Sequence, residues 1–247
     1  MKQLVLIILL LWGNFQLILS QGSSARPLML YGDTSRVGVP YSKDPHVVNF
    51  KGRYLMYHSI PPMKGEPDSG WNIGIAESKD LMNWTKVGEI TPAPEADYEK
   101  KGLCAPGALV KDGKVHLFYQ FHPYSTEWGP MHWGHSTSDD FIRWEELPTA
   151  LAPDSDYDAF GCFSGTAIEN DGKHVLFYTG VVEEKMADGT KNVIQNQCMA
   201  VGDGISYEKI SSNPVVDGKI MPEECSRADF RDPKVWKDAD GNEVAAA

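Results

Sequence analysis

Residues 111–120 read KDGKVHLFYQ, and the same design stands twice more in the chain, as FKGRYLMYHS at 50–59 and NDGKHVLFYTG at 170–180. In each, a glycine next to a basic residue makes a tight turn, and an apolar strand with a tyrosine near its end follows. The turn glycines Gly52, Gly113 and Gly172 are separated by 61 and 59 residues, so the chain is built of repeats. A second element follows each turn. Asp80 precedes Trp84 by four residues in AESKDLMNW, Asp140 precedes Trp144 in HSTSDDFIRW, and Asp203 precedes Tyr207 in AVGDGISYEK. Each predicts a turn between two outer strands, closed by an aromatic. One unit is therefore an inner strand, a hairpin and an outer pair, which is a four-stranded blade. Blades repeated radially make a β-propeller, typically of about four to eight. A fourth unit opens at RDPKVWKDADGNEV, with Gly241 lying 69 residues after Gly172. The expectation is an all-β chain of three blades and the first hairpin of a fourth. Such a set does not close a ring, so the sequence reads as a fragment of a longer propeller.

Composition agrees. The 247 residues suit one domain, and 7 Trp, 10 Tyr, 23 Gly and 16 Pro favour a turn-rich β fold over a helical bundle. A net charge of -11 argues against nucleic acid or an anionic membrane surface as partner. At the N-terminus, Lys2 precedes an apolar run from Leu4 to Trp12, broken by Gly13, Asn14 and Gln16 before Leu17, Ile18 and Leu19. With small residues at Ser20 and Gly22, residues 1–22 read as a secretory signal, and 26–247 as the propeller domain of a secreted or periplasmic protein. No later segment is apolar enough to span a bilayer. Cys104, Cys162, Cys198 and Cys225 are too sparse for a disulfide scaffold and read as buried free thiols.

In a propeller the inner strands converge on one axis, so residues at their starts meet although they are distant in sequence. Here the starts read SKDPHVV, LCAPGALV, CFSGTAI and FRDPKVW. Pro233 cannot donate to a sheet ladder, which places Arg231 and Asp232 at a strand mouth rather than inside a strand. Asp44 and Asp232, each followed by proline, would face one another across a cavity, the arrangement that glycoside hydrolysis requires. Asp-Pro is also simply good chemistry for starting a strand. On ordinary strand alternation, Arg231 faces away from Asp232 and holds the rim.

From about Leu117 to Trp236 the chain resembles glycoside hydrolase family 32, the invertases, inulinases and levanases, in the order and spacing of LFYQFHP, WGPMHWGHSTSDDFIRWEELPTALAPD, GCFSGTAI, LFYTGVV, QNQC and FRDPKVW. The resemblance implies a five-bladed propeller acting on β-fructofuranosides. It implies that Asp232 stabilises the transition state beside Arg231, and that Gln120, Trp128, Phe163 and Ser164 line a fructose subsite. The chain departs from that pattern at CAPG, where Ala105 stands in place of the family's nucleophilic aspartate. Residues 26–100 look more like the related family 43, which makes Asp44 the base or nucleophile. On the alternative register, 26–100 form an additional blade and Asp44 is displaced around the axis. The family's acid follows the Arg-Asp-Pro motif, whereas EEC at 223–225 precedes it and reads as solvated loop charge, so the acid is expected beyond Ala247.

His132 and His135 fall on opposite faces of a strand, which is no metal pair. DSDYD at 154–158 lacks the glycine and glutamate of a calcium loop, although structural calcium stays open there. No cofactor is implied. The reading is a glycosidase with a retaining carboxylate mechanism on fructose-containing oligo- or polysaccharides. The alternatives are a catalytically inactive carbohydrate-binding propeller and a family 43-type arabinosidase or xylosidase.

Overall fold

A computed structural model describes residues 31–90, 102–124, 129–222, 224–238, 240–241 and 243–246. Residues 1–22, expected to be a secretory signal, lie outside them. The described residues from Tyr31 onward form one compact unit. It is all-β, with two single-turn 3-10 helices, and no helix among the described residues is long and apolar enough to cross a membrane.

Three antiparallel sheets of four strands follow one another. The first joins β1 (Lys43–Phe50), β2 (Arg53–Ile60), β3 (Asn72–Ser78) and β4 (Thr85–Ile90) in sequence order. The second joins β5 (Cys104–Lys111), β6 (Lys114–Phe121), β7 (His132–Ser138) and β8 (Glu145–Leu151). The third joins β9 (Gly161–Asn170), β10 (Lys173–Lys185), β11 (Lys191–Gly202) and β12 (Tyr207–Lys209). β13 (Lys234–Lys237) and β14 (Glu243–Ala246) pair as a further hairpin. This is the repeat expected from the sequence.

The local causes repeat too. The inner hairpins have two-residue loops at 51–52, 112–113 and 171–172, and both residues of each have positive φ. That is the type I′ signature, whose twist matches the flanking strands and which favours glycine. In the outer turns, one carboxylate oxygen of Asp80, Asp140 or Asp203 accepts two successive backbone N–H groups, from Met82 and Asn83, Ile142 and Arg143, or Ile205 and Ser206. The closing aromatics Trp144 and Tyr207 then reach back to the preceding sheet, where Trp144 meets Tyr57 edge-on at 5.9 Å and Tyr207 meets Phe118 at 5.6 Å.

Two apolar layers lie between successive sheets. Leu55, Tyr57, Ile73 and Ile75 pack against Ala108, Leu117 and Tyr119. Phe118 and Trp133 pack against Leu176, Tyr178 and Cys198. Phe118 is wholly buried, and complete burial of such a side chain contributes about 1.5–3 kcal/mol. In the second layer His116, His135 and His174 meet: His116 Nδ1 is 3.0 Å from His135 Nε2, and the His116 and His174 rings are 4.4 Å apart.

One expectation needs correction. Cys104, Cys162 and Cys198 are buried free thiols, but Cys225 is exposed, because it sits in the loop before β13 rather than in a sheet. At 154–158 the place open to calcium is filled by an ammonium group: Lys209 Nζ bonds both Asp154 and the fully buried Asp158, which also accepts from Tyr178.

Candidate active site

The innermost strands β1, β5, β9 and β13 pack side by side in that order. Their starts enclose a cavity of about 160 Å³, lined by Asp44, Ala105, Ser164 and Asp232 with their following residues. That is below the roughly 300–1,000 Å³ of pockets for drug-sized ligands, and suits a single small ring. Two carboxylates far apart in sequence are therefore brought to one place.

Bulges at three of the mouths do the positioning, and Asp232 stands just before its strand. Pairing slips between Lys43 and His46 in β1, between Cys104 and Gly107 in β5, and beside Ser164 in β9. Asp44, Ala105 and Asp232 all have left-handed backbones, with φ of 50°, 49° and 61°, and each precedes a proline. Aspartate tolerates that conformation better than most residues, and a bulge re-aims the side chain it carries. Ala105 thus occupies the position that holds a carboxylate in β1 and before β13. Asp44 lines the same cavity as Ala105 and Asp232, one sheet away from Ala105.

Two residues further along three of these strands, a second tier of His46, Thr166 and Lys234 lines the cavity. Burial, reinforced by the nearby Lys234 ammonium, pushes His46 down to about 3, so its ring is neutral near pH 7. Beside Asp44, the buried Cys104 thiol is pushed up to about 12 by burial and then by that carboxylate, so it is no nucleophile. The sequence reading missed His46, Thr166 and Lys234. Their shared place two residues after each mouth position was the signal that could have found them.

The remaining candidates divide. Ser164 lines the cavity, and Gln120 lies behind it, 1% exposed, with its amide donating to Ser164 Oγ at 2.8 Å. Phe163 packs against Cys104, Ala105 and Met131 next to the cavity. Trp128 and Glu223 lie outside the described residues. Arg231 differs from expectation: Nε lies 3.7 Å from Asp232 Oδ2, with Nη1 near Asp229 as well. The left-handed φ at Asp232 breaks the strand alternation that would have separated the two side chains. Upstream, Gln197 Nε2 donates to the Phe230 carbonyl at 2.9 Å, and Gln195 reaches the Ala228 carbonyl, so the QNQC strand ties down the segment that delivers Asp232.

The profile of the glycosyl hydrolases family 32 N-terminal domain matches residues 105–247, more than half of the chain and from the Ala105 mouth onward. The chain belongs to that family. A sucrose-6-phosphate hydrolase of Zymomonas mobilis is 45% identical over 137 residues, covering 54% of this chain and 25% of its own length. A vacuolar acid beta-fructofuranosidase of a Rosa hybrid cultivar is 38% identical over 192 residues, covering 74% of this chain and 29% of its own. The chain thus spans between a quarter and a third of the length of these two relatives. Among solved structures, a family 117 glycoside hydrolase of Zobellia galactanivorans superposes with a TM-score of 0.57 at 19% identity, over 71% of this chain and 57% of that one. This shows a shared fold that extends beyond the segment matched by the family 32 profile.

Proposed function

We propose that this chain forms part of a glycosidase that hydrolyses β-fructofuranosidic bonds in sucrose or fructans by a retaining mechanism. The observation that carries the proposal is the meeting of Asp44 and Asp232 in one cavity of single-ring size. On this reading Asp44 attacks the anomeric carbon of the fructosyl unit as the glycosidic C–O bond breaks, and the leaving oxygen takes a proton from an acid. Water, giving its proton back to the conjugate base of that acid, then attacks the anomeric carbon, returning the Asp44 carboxylate and releasing fructose. Asp232, with Arg231 beside it, stabilises the positive charge that develops on the ring and holds its hydroxyls. Among the described residues the cavity lining has no third carboxylate to act as the acid. Ser164 supplies a hydroxyl to the sugar, while Trp128 and Phe163 would give it apolar walls. Relatives named for sucrose-6-phosphate hydrolysis, raffinose inversion and levan cleavage support this substrate class. Residues 1–22, read as a secretory signal, would place the enzyme outside the cytoplasm.

Ala105 favours a second reading, in which the propeller binds fructosides without cleaving them, because the family's nucleophile position carries no functional group. Incubating the protein that carries this chain with sucrose, inulin, levan and aryl arabinosides or xylosides separates the readings. Fructose release from the first three supports the hydrolase. Binding without turnover supports the second reading, and cleavage confined to the arabinosides or xylosides contradicts both.

A further inference from the structure

Ser59, Gln120 and Thr179 hold the same position, the seventh residue of the second strand in three successive sheets. All three are buried polar residues, which is costly unless each is hydrogen-bonded. Their partners follow one plan. Ser59 Oγ accepts the Ala105 N–H of the next sheet at 2.8 Å and donates to Asp44 Oδ2 of its own sheet at 3.3 Å. Thr179 Oγ1 accepts the Asp232 N–H before the next hairpin at 3.0 Å and donates to the Ser164 carbonyl of its own sheet at 3.0 Å. Gln120 Nε2 donates to Ser164 Oγ of the next sheet. Every bond ends on a residue in the upper tier of the cavity.

The reason lies in the strand mouths. A residue in a bulge, such as Ala105, or one standing before its strand, as Asp232 does, has no ladder partner, so its N–H needs another acceptor. The neighbouring sheet supplies it. For Asp232 this matters for aim as well as for satisfaction. Its carboxylate is 55% exposed, with Arg231 at 3.7 Å as its ion-pair partner. Its direction is therefore set by its backbone, which Thr179 holds at the N–H and Thr166 at the following Pro233 carbonyl, 2.7 Å away. We propose that Ser59 and Thr179 are positioning residues for the two cavity carboxylates, and that Gln120 plays the same part for Ser164. The proposal rests on reading the cavity as the catalytic one. It adds that each functional group is aimed from the second strand of a sheet, its own or the preceding one.

The test compares Thr179→Val, which keeps the shape and removes the hydroxyl, with Thr179→Ser, which keeps the hydroxyl. Both are made in the protein that carries the whole chain. In Thr179→Val, amide exchange at Asp232 should quicken by more than about tenfold while the sheet amides stay protected. On sucrose, kcat should fall by about 10- to 100-fold, with a smaller rise in KM, because Asp232 acts on the developing charge in the transition state and also holds the ring hydroxyls in the ground state. Thr179→Ser should restore both readouts. Unchanged exchange in Thr179→Val would overturn the hydrogen bond, and unchanged kcat would overturn the positioning role. An equal loss in Thr179→Ser would reduce the residue to packing and overturn it too. A wild-type protein inert towards every fructoside would sink the hydrolase reading instead. The two variants would then be compared for fructose affinity by calorimetry: weaker binding in the valine variant alone supports positioning, and equal affinities, or no binding by the wild type, overturn it.

Discussion

Gly165 and Gly172 are both glycines of the third sheet, yet they are required for different reasons. A Cβ on Gly165 would stand 1.9 Å from the Phe177 carbonyl oxygen and 2.7 Å from Tyr178 Cα, so the backbone itself blocks any side chain. Gly172 has a φ of 77° and open space around it, so a replacement there meets only the left-handed backbone. Gly172→Ala should therefore cost about 1–2 kcal/mol, whereas Gly165→Ala should cost about 3 kcal/mol or more, since two strands must part. Urea unfolding of the two variants measures the difference, and equal losses would mean that the sheet yields easily at the Ser164 bulge. At this scale the sequence was readable where chemistry is local. Asp44 and Asp232 stood out because proline fixes the strand start behind each. Ser59, Thr179 and the bulge at Ser164 did not, because they depend on cross-strand register, which composition does not carry. Arg231 was misplaced for the same reason: alternation fails where the backbone turns left-handed.

The hairpins were the most legible elements, since a glycine at the second loop position and apolar flanks leave few alternatives. What the strands place between sheets was less so, and the histidine cluster is the clearest case. Burial first, then neighbouring positive groups, pushes His116 and His174 to about 4 and His135 to about 3. Lys111, Lys114 and the neighbouring imidazoles lower these values, while Asp112, Asp203 and Glu169 oppose the shift. Phe118 stacks on His135, and the Tyr207 hydroxyl bonds His174 Nδ1. The folded state therefore keeps these rings neutral, whereas the unfolded chain takes up protons near the ordinary value of about 6.5. Stability is full above that pH and is lost as pH falls towards 4, with a slope of about 1.4 kcal/mol per pH unit for each proton. Unfolding free energies measured at pH 7, 6 and 5 should fall in that order. In His135→Gln the decline should be shallower by up to one proton. A flat profile in the wild type would show that water reaches the cluster.

Across the whole molecule, one repeated plan accounts for both stability and the cavity. Apolar layers between sheets fix the angular spacing of the inner strands, and their mouths turn that spacing into a ring of side chains. The first sheet lies before the segment that the family profile matches, yet it delivers Asp44 to the same tier as Ala105 and Asp232. The propeller plan was legible because repeats of period and turn chemistry survive in a single sequence. Which sheet carries the working carboxylate was not, since both registers fit the same motifs and differ only in where around the axis that carboxylate stands. The most direct measurement is the rate of fructose release from sucrose by Asp44→Asn, in the protein that carries this chain, with its melting temperature shown to match the wild type. A fall of at least about a thousandfold is expected for loss of a group that acts on the reacting bond. Wild-type activity in Asp44→Asn would contradict the assignment and leave the first sheet as an accessory to chemistry carried out elsewhere.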